Sequence, residues 1–420
     1  MLTGEKLAVF LLIGYLSAII QINAAEKETG KILMNDLRGA LDKGEKNLKI
    51  VCFGDSITGV YYHTGGKRAW GDMLRIALNK LYPNAKLELY NAGISGNTTE
   101  KGLKRIDRDV LALKPQLVVV MFGMNDCAKN TPQVFHDNLK KIVQKCFDAG
   151  SAVVLCTQNS IYPEDVRRSK TLGTYAEVIH TVAMEMSVPL ADCYHACEDL
   201  RTTNPGAWKL LMSETIHPNM NGHRLFAEVI AGTISGKKIN LNGVPPPSPG
   251  MSFTFEKLSR KQSINFIAMP PCDTIIPAAL KKLYPDAVIN VTLWPCGQLN
   301  ELELWSKDIR GKKPDLVAIA VPAEIQGKND ENFIRSYNWI LNWSIPLGKA
   351  EWDIVAVLPS VINPHLSAVE LDRENLARQI IIGKDIGFIE RKDGDESGTA
   401  ELILHWIHSQ HKVWYETRKQ

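Results

Sequence analysis

Apolar residues fall along the first half of the chain in two alternating patterns. Short, mostly apolar runs occupy Asn47–Phe53, Lys86–Tyr90, Leu117–Phe122, Ala152–Thr157 and Pro189–Asp192. Between and after them, Trp70–Leu81, Thr98–Leu113, Pro132–Ala149, Thr171–Ser187 and Asn221–Thr233 carry apolar side chains at the spacing of a helix with one buried face. Leu117–Phe122 reads Leu-Val-Val-Val-Met-Phe, with no alternation, so it predicts a strand buried on both sides. Strand and helix alternate five times. That order predicts an α/β fold whose parallel sheet is covered by helices on both faces.

The flanks differ from this pattern. Met1–Ala25 has Lys6 ahead of an almost wholly apolar stretch from Leu7 to Ile22, then the small residues Ala24 and Ala25. It predicts a secretory signal, with an N-terminal anchor as the alternative if the segment is not cleaved. Residues 26–47 form a leader with no assigned element. Gly243–Gly250 (Gly-Val-Pro-Pro-Pro-Ser-Pro-Gly) is a stiff, extended linker by composition. It divides a domain over 48–242 from a second region over 263–415, with 243–262 between them. The second region echoes the first. Ala-Leu-Asn-Lys-Leu-Tyr-Pro-Asn-Ala at 77–85 returns as Ala-Leu-Lys-Lys-Leu-Tyr-Pro-Asp-Ala at 279–287. Lys114-Pro115-Gln116-Leu117-Val118 returns as Lys313-Pro314-Asp315-Leu316-Val317. The offsets are 202 and 199 positions, in the same order, which predicts an internal duplication.

Composition narrows the function. The 420 residues are 45% hydrophobic and carry 49 basic against 46 acidic side chains, a balance that gives no electrostatic case for nucleic acid. Eight cysteines in an exported chain raise the question of disulfides. Cys52 and Cys156 sit inside strand-like runs as small hydrophobes, whereas Cys193 and Cys197 are near enough in sequence to pair. No cysteine or histidine spacing calls for zinc, and no cofactor is called for.

Parallel sheets present ligand-binding residues at the C-terminal ends of their strands. The first strand leads into Gly54-Asp55-Ser56-Ile57-Thr58, the second into Asn91-Ala92-Gly93, and the third into Gly123-Met124-Asn125-Asp126. Late in the domain comes Glu214-Thr215-Ile216-His217-Pro218-Asn219. Each piece has an ordinary reading as a cap, turn or surface histidine. Together they supply a nucleophilic hydroxyl, N–H donors for a developing oxyanion, and a loop imidazole as base, the set that acyl transfer needs. His223, at the opening of the last helix, reads as structural.

The order Ser56, Gly93, Asn125, His217 resembles the four sequence blocks of the SGNH hydrolases, the GDSL esterase/lipase family, over residues 48–235. The resemblance implies a flavodoxin-like three-layer α/β/α sandwich and metal-free ester hydrolysis. It implies Ser56 as nucleophile, His217 as base, and an oxyanion hole made by the Ser56 N–H, the Gly93 N–H and the Asn125 side chain. The family usually has Asp three residues before its histidine; this chain has Glu214. Either Glu214 or a backbone carbonyl would then orient the imidazole.

The second region lacks these groups. After its first strand, Ser263–Met269, comes Pro270-Pro271-Cys272-Asp273-Thr274; Gly123 and Asn125 map to Pro322 and Glu324, and Glu390–Thr399 offers no histidine. It reads as a degenerate, non-catalytic copy. Cys272 as a replacement nucleophile would lack a base and an oxyanion donor. Seven tryptophans lie here, with Trp339 and Trp343 at core-like helical spacing.

The expected protein is a secreted or periplasmic serine esterase that removes short acyl groups from carbohydrate. Asp55, Tyr61, Tyr62 and Trp70 are candidates for contacting that substrate. The alternatives are a lysophospholipase or thioesterase-like enzyme, which would want an apolar acyl groove, and a non-catalytic glycan-binding protein.

Overall fold

The computed structural model of this chain describes residues 27–59, 62–163 and 169–419, so the predicted signal segment lies outside it. The described residues divide into two compact units. One gathers 27–59, Trp70–Thr203 and Arg224–Leu241; the other gathers 62–69, Asn204–His223 and 242–419.

The first unit is built on five strands: β1 (Leu48–Gly54), β2 (Leu87–Gly93), β3 (Leu117–Met121), β4 (Ala152–Cys156) and β5 (Leu190–Ala191). All pair in parallel, in the order β2-β1-β3-β4-β5. This is the flavodoxin-like order, whose connections reverse direction across the sheet between β1 and β3. The register brings the strand ends level: Gly54 pairs with Gly93 on one side and with Met121 on the other.

Side chains alternate across the sheet and fill a core on each face. Val51, Phe53, Val118, Val120 and Phe122 pack with Phe135, Leu139, Ile142 and Val143 of helix Pro132–Asp148 and with Ile179 and Val182 of helix Ser169–Met186. Ile50, Cys52 and Val119, on the opposite face, are equally buried. Gly71 of helix Trp70–Leu81 approaches the Cys52 Sγ there, close enough that an added Cβ would lie 3.0 Å from it. As expected, Cys52 and Cys156 serve as apolar strand residues. The Cys193–Cys197 pairing is not made: both are free and buried on helix Cys193–Thr203.

Two features depart from the sequence pattern. Residues 27–43 of the leader are helical, burying Met34, Leu37 and Leu41. Arg38 from this helix donates to the Thr233 and Ile234 carbonyls at 3.1 and 2.8 Å, capping the end of helix Met220–Ser235. The helix expected over Thr98–Leu113 is broken into Thr99–Leu103, Ile106–Asp109 and a 3₁₀ turn at Leu111–Leu113. The break falls at Arg105, whose φ of −123° leaves the helical region so that its guanidinium reaches inward.

The second unit has its own parallel sheet of β6 (Ile264–Ala268), β7 (Ile289–Leu293), β8 (Leu316–Ile319), β9 (Asp353–Val357) and β10 (Gly387–Ile389). Its order is β7-β6-β8-β9-β10. Lys114 before β3 and Lys313 before β8 both take left-handed backbone, at φ 51° and 48°. Phe255, Phe266, Trp294, Ile340 and Ile380 lie in this unit's core. Trp339 and Trp343 do not: they are half-buried and stack on each other, because one edge of helix Asp330–Ser344 faces outward.

Phe122 ends β3 against Phe53, with ring centroids 5.0 Å apart and edge to face. Truncating it to Ala removes a fully buried ring and should cost about 3–5 kcal/mol. Urea denaturation checks this; a loss below about 1 kcal/mol would mean that the packing is not as described.

Candidate active site

In the first unit, Ser56 opens the short helix Ser56–Gly59 immediately beyond β1 and is nearly buried. Asp55 shapes this turn: its Oδ1 accepts the Ile57 N–H at 3.0 Å and its carbonyl accepts the Gly59 N–H. The end of β2 is pressed against it. A Cβ on Gly93 would lie 2.3 Å from the Gly59 N, and one on Gly59 would lie 2.0 Å from the Gly93 O, so both positions need glycine. Asn91 fastens the contact, donating from Nδ2 to the Thr58 carbonyl at 2.8 Å and accepting the Gly93 N–H on Oδ1 at 2.9 Å. The Gly93 N–H therefore already has an acceptor, which an oxyanion would have to share or displace.

Beyond β3, Gly123 has a φ of +130°, open only to glycine. Asn125 follows, with its Nδ2 donating to the Asn97 carbonyl at 3.1 Å and lying 3.5 Å from Asp55 Oδ2. Asp126 locks this loop to the preceding one. Its carboxylate accepts the Thr99 N–H at 3.0 Å, the Thr99 hydroxyl at 2.6 Å and the Asn130 amide at 2.8 Å. Burial pushes the Asp126 carboxyl above its ordinary value against the pull of those donors.

Arg105, also missed in the sequence, joins the strand ends. Its guanidinium lies over the Phe53 ring and donates to the Gly54 carbonyl at 2.9 Å, the Ala92 carbonyl at 2.7 Å and Asn97 Oδ1 at 2.9 Å. A basic residue inside a helix-like stretch gives no sequence signal for such contacts.

In the second unit, the loop after Met212 carries the histidine. A bridge between Met212 and Pro218, the Ser213 N–H to His217 carbonyl bond at 2.9 Å, and the Asn219 N–H to Leu211 carbonyl bond at 2.8 Å close its base. Glu214 Oε1 lies 2.5 Å from His217 Nδ1 and accepts the His217 backbone N–H at 2.7 Å. The extra methylene of Glu is thus absorbed by a turn of the carboxylate onto its own loop. Burial pushes the Glu214 carboxyl up, but the bonds from His217 outweigh it and leave the group below the ordinary glutamate value. His63 stacks on His217, with ring centroids 4.6 Å apart and planes 22° from parallel. His223 is buried, and burial followed by the charges of His217 and Lys384 takes its imidazole down to about 3.

Several expected contacts to substrate are not available. Trp70 is wholly buried at the start of an amphipathic helix and turns its ring into the core, so it has no face to offer a sugar. Asp55 is likewise fully buried and committed to its own turn. Tyr61 and the side chain of Tyr62 lie outside the described residues. Cys272 is buried, and burial pushes its thiol up to about 12, out of reach of a nucleophile's role. Elsewhere, His180 Nε2 and His195 Nδ1 each lie 2.7 Å from Asp192 Oδ2, a donor set of a kind that transition metals accept. Asp192 also takes the His195 N–H at 3.2 Å, which is what an N-terminal cap of helix Cys193–Thr203 does.

The chain is a carboxylic ester hydrolase. Residues 52–225 match the profile of the GDSL-like Lipase/Acylhydrolase family. Over 164 residues the chain is 29% identical to an acetylxylan esterase of Geobacillus stearothermophilus, covering 36% of this chain and 73% of the relative. It is 27% identical over 186 residues to an arylesterase of Vibrio mimicus, covering 44% and 86%. The solved structure of the acetylxylan esterase Axe2 from Geobacillus stearothermophilus aligns with a TM-score of 0.40 and 24% identity, over 47% of this chain and 98% of that one.

Replacing Arg105 with Ala removes charged hydrogen bonds to two buried carbonyls. It should lower stability by about 1.5–3 kcal/mol and loosen the turn that carries Ser56. A melting temperature within a degree of the parent would show that the carbonyls are satisfied without it.

Glu214 gives a pH test. Its folded-state value is depressed, so its contribution to stability is complete above the ordinary glutamate value and is lost as pH falls through the lower one. Urea midpoints at pH 6 and pH 3 should therefore differ less in Glu214→Gln than in the parent. Equal differences would mean that the carboxylate is not coupled to folding.

Proposed function

We propose that this ester hydrolase works through an acyl-enzyme on Ser56. His217 takes the serine proton and returns it to the leaving alcohol, then activates water to release the acid. The observation that carries this reading is the Glu214 carboxylate 2.5 Å from His217 Nδ1. That bond fixes Nδ1 as the protonated nitrogen and leaves Nε2 free of a proton, the form a general base requires. Glu214 also stabilises the imidazolium formed when Ser56 is deprotonated. The Ser56 N–H, the Gly93 N–H and the Asn125 amide serve as donors to the oxyanion. For Gly93 this entails exchanging its bond to Asn91.

The substrate is an acetylated carbohydrate, and the enzyme is exported by its N-terminal segment. The acetylxylan esterase among its relatives and the signal-like composition of Met1–Ala25 support this. No helix among the described residues is long and apolar enough to cross a membrane. The esterase domain spans 48–242 and the linker 243–262. Residues 263–415 are a diverged copy without chemistry. The shared strand order of the two sheets, and the left-handed lysine before the third strand of each, support that duplication.

Ser56→Ala should abolish hydrolysis of p-nitrophenyl acetate and labelling by a fluorophosphonate, while the protein stays folded. Asn125→Ala should lower kcat by about 10²–10³ with little change in KM. The parent should favour the acetate over the octanoate ester and release acetate from acetylated xylan. Preference for octanoate would transfer the enzyme to lipid esters, and activity surviving in Ser56→Ala would remove the nucleophile.

A further inference from the structure

The second unit contains a lysine whose burial the hydrolytic mechanism does not use. Lys384 is wholly buried, between helix Ala368–Ile382 and β10. Its Nζ donates to the Ser213 hydroxyl and, at 2.7 Å, to Asn342 Oδ1. Asn342 comes from helix Asp330–Ser344, and its Nδ2 donates to the Ser213 carbonyl at 3.0 Å. The Ser213 Oγ lies 3.0 Å from Asn342 Oδ1 and 2.8 Å from His63 Nδ1. Ser213 immediately precedes Glu214, and its N–H donates to the His217 carbonyl. A continuous polar chain therefore runs from Lys384 and Asn342 through Ser213 to His63, whose ring lies flat on His217.

We infer that Lys384 and Asn342 are positioning residues for the histidine base: acting through Ser213, they hold the His63 ring parallel against His217. The inference rests on the assignment of His217 as base. Its physical content concerns where a proton is allowed to reside. An ammonium needs acceptors when buried, and Lys384 has two here, with Glu214 as the opposing charge. Asp385, the next residue, is already matched by Arg68 through bonds of 2.5 and 2.9 Å.

The titratable groups facing His63 are His217, Lys384, His223 and Glu214, whose carboxylate lies within 4.8 Å of a His63 ring nitrogen. Burial first, and then the charges of His217, Lys384 and His223, push its imidazole well below the ordinary value, against a hydrogen bond with Asn342 that favours the protonated ring. Burial brings Lys384 itself down to about 7, with Glu214 opposing. Below that pH Lys384 is charged, which is the range in which an ordinary imidazole gains its proton. His63 is thereby kept neutral where it would otherwise compete for the charge. When His217 becomes an imidazolium during acylation, it meets a neutral aromatic face, which attracts a cation, instead of a second cation, which would repel it.

The test uses the full chain with ¹⁵N-labelled histidine and follows the ring nitrogens against pH, alongside kinetics on p-nitrophenyl acetate. His63 should titrate well below the ordinary imidazole range in the parent. Lys384→Met should let it titrate nearer the ordinary imidazole range, lower kcat about tenfold with KM within about twofold, and move the acid limb of kcat/KM to higher pH. His63→Phe keeps a flat ring and should retain the rate within about threefold, whereas His63→Ala should lose about tenfold. Ordinary titration of His63 in the parent would overturn the inference. So would a folded Lys384→Met with unchanged His63 titration and rate profile, or equal losses in His63→Phe and His63→Ala. Should Lys384→Met fail to fold, the parent titration and the His63 pair still decide. An inactive parent that Ser56-directed reagents do not label would defeat the esterase assignment, while the nitrogen spectra would still report whether His63 is held neutral.

Discussion

Where β1 and β2 end, the arrangement of the first unit depends on one buried cation. The Gly54 and Ala92 carbonyls belong to adjacent strands, and the Arg105 guanidinium bonds to both. That contact ties the two strand ends together where the ladder between them finishes, beside the Ile94 N–H that also bonds to the Gly54 carbonyl. Everything that follows β1 and β2, including Ser56 and Gly93, starts from this clamp. It also has a local cost, since the chain must leave helical geometry at Arg105 to make it. A neutral side chain would satisfy fewer acceptors, and a lysine would lack the planar fork that reaches several at once.

The strands and the longer helices were legible because their signal is local. Short apolar runs predicted β1, β3 and β4 to within two residues of their observed ends. The turn residues Ser56, Gly93 and Asn125 stood out for a related reason, since each follows a predicted strand directly. What escaped notice acts at long range. Arg105 reaches Gly54, 51 positions away, and Asp126 reaches Thr99, 27 positions away, and neither bond leaves a periodic trace. Trp70 was misplaced because an aromatic beside a polar loop suggests exposure, while the helix it begins turns that position inward. The leader helix was passed over because its buried positions, Met34, Leu37 and Leu41, are few and are flanked by many charges.

The histidine loop shows a second kind of constraint. Glu in place of Asp lengthens the side chain, and the structure accommodates it by bonding the same oxygen to both the backbone N–H and Nδ1 of His217. One atom thereby sets both the loop's conformation and the ring's tautomer. Ser213, next to Glu214, is in turn fixed by Asn342 and Lys384, 129 and 171 positions further along the chain.

The contact between Gly59 and Gly93 sets a rule for laboratory evolution of this enzyme. Each glycine excludes a side chain at the other, so neither position tolerates a first step, and no second substitution can rescue it without separating two backbones. A library that randomises these loops will spend much of its diversity on sequences that cannot close. Ile94, one residue further on, is 42% exposed and leaves its side chain free to vary without that collision.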